Sequence, residues 1–437
     1  MKTRRLGLTM TVMLTVLCCT AAPSTAGTAP EQAPVASFKG SWYEIGQQIG
    51  KTYPDYIVEF GETMGMVLRF AGPDGWSPQT FYEQTGTLIS QSIKDHMEGM
   101  AMGLSEATTL SYDAAWELVL THNMAIELLN RSNMTTTPEP WTREIRGCTG
   151  FAVSSPAGNF LAHNTDSQSG SGDNIVVLMY WEPNNGDYAY MTMDPPGWAS
   201  VGFGLNEMGI AITLNAGSPN TAASIGMYTG FMERYVMEHA ATLDEAVAYF
   251  ENHLQDGKSF GTGGALIHIM DFNDGSMAKL QVRSNALEVT YGEESPSGVT
   301  YIGSANHFTG DFNPDETYYY ESSFERHKRL MELLPQIETF DLNACWSVLK
   351  DTNGGEANNN TISRVGDRSG TTFGHIFTED GISYTMGPPH AYLEQYGQPQ
   401  HVTYADIANM NLKTFTAMPT CWKITLNWEL ESEENIT

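Results

Sequence analysis

The sequence predicts an α+β protein: two antiparallel sheets with helices packed on their outer faces, preceded by an N-terminal helical segment. Three observations lead there. From Ala36 to about Ser132 apolar residues recur at helical spacing. After Gly147 the texture changes to short β runs separated by close turns. Those runs are ordered as a strand meander, a helix pair, a second meander and a second helix pair.

Residues 1–26 stand outside that pattern. Lys2, Arg4 and Arg5 precede an apolar run from Leu6 to about Ala22, and Ser24-Thr25-Ala26 follows. A charged, an apolar and a small-residue region in that order read as a secretory signal peptide. The chain is therefore expected to be exported, whether to periplasm, cell surface or medium. Residues 27–35 read as a linker, and residues 36–147 as the helical segment. Within it Trp42, Ile45 and Ile49 form one apolar stripe, and Ile93, Met97, Met100 and Leu104, with Ala101 beside them, form another. Asn133–Pro140 is turn-rich and reads as a loop.

The remaining residues, 148–437, read as the β-rich core. Cys148–Val153 and Asn159–His163 flank Ser154-Ser155-Pro156-Ala157-Gly158, a hairpin signal. Strands are expected at Asn174–Trp181, Asp187–Met193, Ala199–Gly204 and Met208–Leu214. Two helices follow, the second opening on Thr242-Leu243-Asp244-Glu245, a capping box. The second meander comprises Ala265–Phe272, Met277–Arg283, Leu287–Tyr291 and Val299–Ile302. Helices near Ser323–Leu334 and Leu342–Lys350 precede strands at Thr371–Thr378 and Ile382–Met386.

Composition narrows the function. Of 437 residues, 41% are hydrophobic and 17% charged, as in a globular protein with a large core. The net charge of −29 reflects 51 acidic residues against 22 basic ones, a balance that excludes nucleic acid and anionic lipid as partners. No stretch after the first reaches the roughly 18–20 apolar residues of a membrane span. Zinc, calcium, phosphate-loop, dinucleotide and serine-elbow motifs are all missing, so neither metal nor cofactor is expected. The expected partner is a small molecule.

Cysteine is scarce. Cys18 and Cys19 fall in the signal region, leaving Cys148, Cys345 and Cys421. An odd count in an exported chain points to one pair and one free thiol; Cys345 and Cys421 are either that pair or two buried thiols. Cys148 follows Gly147 in Arg146-Gly147-Cys148-Thr149-Gly150-Phe151-Ala152-Val153, at the opening of the first strand. Taken alone it is a small core residue, half of a disulfide or a nucleophile. The hairpin after it ends in His163-Asn164-Thr165-Asp166, which returns an aspartate toward the cysteine.

With those pieces in view the chain resembles the autoproteolytic N-terminal-nucleophile hydrolases related to isopenicillin N acyltransferase, cousins of penicillin V acylase and bile salt hydrolase. Gly40–Gly50 (G-S-W-Y-E-I-G-Q-Q-I-G) and His96–Ser105 (H-M-E-G-M-A-M-G-L-S) are similar to the family's N-terminal helices. Gly204–Asn215 and Ser304–Phe308 resemble two later elements, in the same order. Two positions depart from the pattern: Gly150, where relatives usually carry Ser, and His390 in Gly387-Pro388-Pro389-His390.

The resemblance implies a four-layer αββα sandwich and a chain that cuts itself between Gly147 and Cys148, its two parts staying associated. It further implies Cys148 as nucleophile and thioester carrier, with its freed amine as base. Asp166 would orient that amine, Asn306 would donate to the oxyanion, and Asn215 would be a second donor or substrate contact. Arg364, with Arg368 as a rival, would stabilise charge in the site. The activity implied is hydrolysis of a linear amide, or transfer of its acyl group. Local readings stay open beside these: Asp166 as a turn cap, Asn306 and Asn215 as loop and turn residues, Arg364 as an ion-pair partner, and the whole chain as a non-catalytic exported binding protein.

Overall fold

The computed structural model describes residues 32–71, 77–135, 147–167, 176–217, 226–261, 264–312, 321–366, 370–408, 412–420 and 423–430. Its first element is a strand, β1 (Val35–Gly40), where helix was expected. Helical structure starts later because Ser41 caps it. The Ser41 hydroxyl accepts from the Glu44 amide while the Glu44 carboxylate accepts from the Ser41 amide, fixing the start of α1 (Trp42–Thr52). Helices α2 (Pro54–Ala71), α3 (Pro78–Thr85), α4 (Gln91–Ala107) and α5 (Tyr112–Thr135) follow. α5 runs on through Asn133–Thr135, where a loop was expected; residues 136–146 lie outside the described ones.

The two glycine-bearing motifs of this segment pack backbone to backbone. A Cβ on Gly46 of α1 would lie 2.0 Å from the His96 carbonyl oxygen, and one on Gly103 of α4 2.1 Å from that of Gln47. Any larger residue would drive α1 and α4 apart.

Next comes the hairpin of β2 (Gly147–Ser155) and β3 (Gly158–Ser167). The first meander is β4 (Val177–Pro183), β5 (Tyr190–Asp194), β6 (Phe203–Asn206) and β7 (Ile210–Ala216). β6 is shorter and later than the run Ala199–Gly204 predicts. The reason is tertiary: the Ala199 amide donates to the Asn123 side chain and its carbonyl accepts from Arg234, so it never enters a ladder. Helices α6 (Thr229–His239) and α7 (Leu243–Gln255) lead to β8 (Ala265–Asp271), β9 (Met277–Arg283), β10 (Ala286–Tyr291), β11 (Glu293–Glu294) and β12 (Thr300–Ser304). α8 (Glu321–Leu333), α9 (Leu342–Leu349), β13 (Gly370–Thr378) and β14 (Gly381–Met386) match the predicted second helix pair and last strands. Unforeseen were α10 (Pro389–Tyr396), β15 (Gln400–Thr403), α11 (Tyr404–Ala408) and the hairpin of β16 (Leu412–Thr420) with β17 (Lys423–Leu430).

An eight-stranded sheet has the order β1-β4-β5-β6-β7-β8-β9-β10, and a seven-stranded one β11-β12-β2-β3-β13-β14-β15. One pair departs from the antiparallel expectation: β1 lies parallel to β4. Three buried clusters define the layers. Trp42, Ile45, Met97 and Phe231 from the helices meet Met179, Trp181 and Ile212 of the larger sheet. Met191, Leu205 and Ala211 meet Ala152, Leu161 and Phe377 between the sheets. Phe151, Val153 and Ile376 of the smaller sheet meet Leu330, Cys345 and Trp346 beyond it. The stacking is helix, sheet, sheet, helix. The N-terminal segment shares its layer with α6 and α7, so it completes the sandwich rather than standing apart from it.

Candidate active site

β2 is an interior strand, and its two neighbours bring the chemistry to it. On one side β3 sets Asp166 opposite Gly147 and Thr165 opposite Cys148. On the other, β12 pairs Ser304 with Gly150, so the chain leaving that strand carries Asn306 to the cysteine. Period-two alternation assigns the faces. Phe151 and Val153 belong to the outer cluster and Ala152 to the inter-sheet one, so Cys148 points between the sheets and Gly147 and Thr149 face α8.

On the inter-sheet face the backbone amides of Asp166 and of Ala216 on β7 favour the Cys148 thiolate. Burial nevertheless dominates. It pushes the thiol up to about 11, helped by the Asp166 charge and opposed by those amides and by Arg326. The backbone amide of Cys148 donates to Asn306 Oδ1 at 2.9 Å, and Asn306 Nδ2 donates to the Ala216 carbonyl at 2.8 Å.

The α8-facing side of the same peptide holds the charges. Arg364 Nη1 donates to Asp166 Oδ2 at 3.0 Å, and the Thr371 hydroxyl donates to Asp166 Oδ1 at 2.8 Å. Asn359 accepts from Arg364 through its carbonyl, at 3.0 Å from Nε, and through Oδ1. Asp166 and Arg364 are both buried. There is no room for a side chain before the cysteine: a Cβ on Gly147 would lie 2.2 Å from Arg364 Nη1 and 3.0 Å from Asp166 Oδ2.

One participant is missing from the sequence reading. Arg326 of α8 donates through Nη1 to the Cys148 carbonyl and, at 2.9 Å, to the Thr149 hydroxyl; through Nη2 it donates to Asn306 Oδ1 at 2.8 Å. Burial, and then the Arg364 charge, lower its pKa to about 10. The signal was there. Ser322, Arg326 and Leu330 stand four apart on one helix stripe, and all three are buried. An arginine on a buried stripe needs acceptors waiting for it.

Of the sequence-predicted residues, Gly147, Cys148, Asp166, Asn306 and Arg364 converge. Arg368 lies outside the described residues. Asn215 sits on β7 rather than in a turn, and its amide is already committed. Nδ2 donates to the main-chain oxygens of Ser304 and Ala305 at 3.1 and 2.7 Å, while Oδ1 meets His163 Nε2 at 2.8 Å. It braces the strand end that carries Asn306. The departure at Gly150 has a steric reason: a Cβ there would lie 3.1 Å from both the His163 and His268 rings. His390 pairs with the Ser363 hydroxyl at 2.7 Å and steadies the chain next to Arg364. Cys345 is a free thiol in the outer core, and Cys421 lies outside the described residues. Among the described residues no group of three or more His, Cys, Asp or Glu is placed to hold a metal ion, and no helix is long and apolar enough to cross a membrane. A cavity of about 610 Å³ opens beside α8, lined by Glu321, Glu325, Arg329 and Asn358 among others, and does not reach Cys148.

Residues 153–383, just over half the chain, match the family model described as acyl-coenzyme A:6-aminopenicillanic acid acyl-transferase. The chain belongs to that family. The matched span starts five residues after Cys148 and contains Asp166, Asn215, Asn306, Arg326 and Arg364. Membership of this acyl-transferase family agrees with the layered α+β architecture that the sequence predicts. No curated protein matches. Among solved structures, an N-acylethanolamine-hydrolyzing acid amidase ortholog of Caenorhabditis elegans aligns at 17% identity over 58% of this chain and 100% of its own, with a TM-score of 0.37. Two variants of the conjugated bile acid hydrolase of Clostridium perfringens align at 11% and 12% identity. They cover 60% and 65% of this chain and 94% and 97% of their own, each with a TM-score of 0.35.

Proposed function

We propose that the chain is an exported, self-cleaving amide hydrolase with Cys148 as its nucleophile. One observation carries this reading: the Gly147–Cys148 peptide lies between the thiol on one face of β2 and the Asp166–Arg364 pair on the other, with Asn306 on the cysteine nitrogen. Export is supported by the pattern of residues 1–26.

In the precursor the Cys148 sulfur adds to the Gly147 carbonyl, the C–N bond breaks, and the thiol proton passes to the nitrogen. Water then hydrolyses the thioester, leaving a Gly147 carboxylate and a free Cys148 amine. An α-amine has a pKa of about 8, so it accepts a proton near neutrality, and nucleophile and base then sit on one residue. Its position beside Asp166 orients it. In turnover Cys148 takes the acyl group of a linear amide as a thioester and the amine leaves. Asn306 Nδ2 gives one hydrogen to Ala216; the other is available to the oxyanion, a contact whose loss costs roughly 100- to 1,000-fold in rate. Asn215 acts through Asn306 as a brace. Water is the acceptor we propose, since activated acyl donors are scarce outside the cytoplasm.

Denaturing electrophoresis with intact-mass analysis tests this. Two fragments are expected, the second starting at Cys148, while Cys148→Ala should remain one inactive chain. Fresh mature protein that stays uncleaved, or processing that survives in Cys148→Ala, would overturn the reading. A panel of penicillins, N-acyl amino acids, bile-salt conjugates and N-acyl lactones then identifies the acyl amide.

A further inference from the structure

Among the described residues the buried charges around the Cys148 peptide do not balance. Arg364 is paired with Asp166 at 3.0 Å, but Arg326 approaches that carboxylate no closer than 3.9 Å. Its own hydrogen-bond partners, the Cys148 carbonyl, the Thr149 and Ser322 hydroxyls and Asn306 Oδ1, are all neutral. A buried guanidinium without its own counter-charge is costly, and removing such a group would ordinarily stabilise a protein. Here it sits on the reacting residue itself.

We propose that Arg326 is a positioning residue for the reaction, fixing the Asn306 amide and the Cys148 carbonyl by its fork and favouring the neutral form of the Cys148 amine by its charge. This rests on the self-cleaving reading above.

Two arguments support it. The first concerns the amide. Asn306 Oδ1 receives both the Cys148 nitrogen and Arg326 Nη2, so only the oxygen fits on that side and Nδ2 must face Ala216, where an oxyanion donor is wanted. Without Arg326 only the cysteine nitrogen and the Ala216 carbonyl would hold that orientation. The second concerns charge. After cleavage the amine occupies the place of the present Cys148 nitrogen. Protonated, it would set three cations around one carboxylate; neutral, it leaves two, and an arriving thiolate or oxyanion restores balance. The same field works on the sulfur, where Arg326 opposes the effect of burial.

The other titratable groups nearby do not supply this switch. His163 on β3 and His268 on β8 line the inter-sheet side, and His307 after β12 and His327 on α8 lie toward Asn306; burial lowers the pKa of all four below that of a free imidazole. Lys279 on β9 lies beyond His268.

The test uses mature, cleaved protein and iodoacetamide, following alkylation of Cys148 against pH by intact mass. R326Q should move the apparent titration of the Cys148 pair upward by about one unit. R326K keeps the charge but not the fork: its profile should stay in place while self-cleavage of the precursor slows roughly tenfold. An R326Q profile that coincides with wild type, or an R326K profile displaced as far as that of R326Q, would overturn the proposal. Should R326Q fail to yield folded, cleaved protein, R326K decides alone, and self-cleavage at the wild-type rate would overturn it. A wild-type chain that never cleaves sinks the parent reading instead, so the two failures are distinguishable.

Discussion

Gly147 and Asp166 face each other across the β2–β3 hairpin, and the space a side chain would need at Gly147 is filled by the arginine that Asp166 holds. Under the proposed self-cleavage glycine is required there for two reasons: the thiol must reach its carbonyl, and Arg364 and Arg326 must close over it, the latter 3.2 Å from a Cβ placed at Gly147. Gly147→Ala should push Arg364 off Asp166 or displace the strand. Self-cleavage is expected to slow by about a hundredfold, the order of loss for a reacting group misplaced by an ångström. A time course of precursor on denaturing gels checks this; cleavage at the wild-type rate would contradict it.

Asp166 carries the converse prediction. Among the described residues its carboxylate is the closest anion to two buried guanidiniums. Asp166→Ala strands both, and breaking a buried pair from one side costs about 3–5 kcal/mol. Urea unfolding should show a lowered midpoint with little change in slope. Asp166→Asn keeps the acceptor for Arg364 but not the charge, and should lose processing as well as stability. An alanine variant as stable as wild type would show that water, rather than Asp166, satisfies the arginines.

The thiol supplies a pH test. Only thiolate reacts with iodoacetamide, and in the uncleaved chain the Cys148 thiol is pushed up to about 11. Its thiolate fraction at pH 8 is then on the order of one in a thousand, rising about tenfold per pH unit until the titration is complete. In uncleaved wild-type precursor, with cleaved chains told apart by intact mass, alkylation of Cys148 should climb steadily from pH 7 to 10. A plateau by pH 8 would mean that the sulfur is activated before cleavage. Cleavage itself should accelerate alkylation at neutral pH, because it places an amine on the same residue.

How much of this was readable in advance depends on how locally each feature is encoded. The hairpin was legible because its turn, alternation and apolar runs all lie within Cys148–Asp166, and it alone sets the spacing of Cys148 and Asp166. Helix and strand order were legible for the same reason. β1 was not: six residues joined parallel to β4 are held by a pairing about 140 residues away. β6 shifted because Asn123 and Arg234, distant in sequence, take the backbone groups of Ala199. Arg326 was missed because the buried stripe of α8 that carries it names only Ser322, whereas its other partners lie on β2 and after β12. Asn215 was read as a possible donor because a sequence cannot say which hydrogen bonds are already made.

The last prediction concerns the two parts that the proposed cut would leave. Trp42 and His96 come from the N-terminal segment; Trp181, Tyr190, Arg234 and Glu238 come from after Cys148. Arg234 lies 4.2 Å over the Trp42 ring, its Nη1 is 2.7 Å from His96 Nδ1 and its Nε donates to Glu238 at 2.6 Å. Trp42 Nε1 also donates to Asp187 at 2.6 Å. Trp42, Trp181 and Tyr190 belong to the same cluster as Ile45, Ile49, Met97 and Met100, so separating the parts would expose an entire layer of core. Both fragments are therefore expected to co-elute on native size exclusion and to part only in denaturant, together with loss of activity. Trp42→Ala removes the ring that the guanidinium covers, at a cost of about 3–5 kcal/mol, and should lower the denaturant concentration at which the fragments separate. Arg234→Met, which keeps the packing but abandons Glu238, should do so by less than Trp42→Ala if apolar contact dominates the association, and by more if the buried ion pair does.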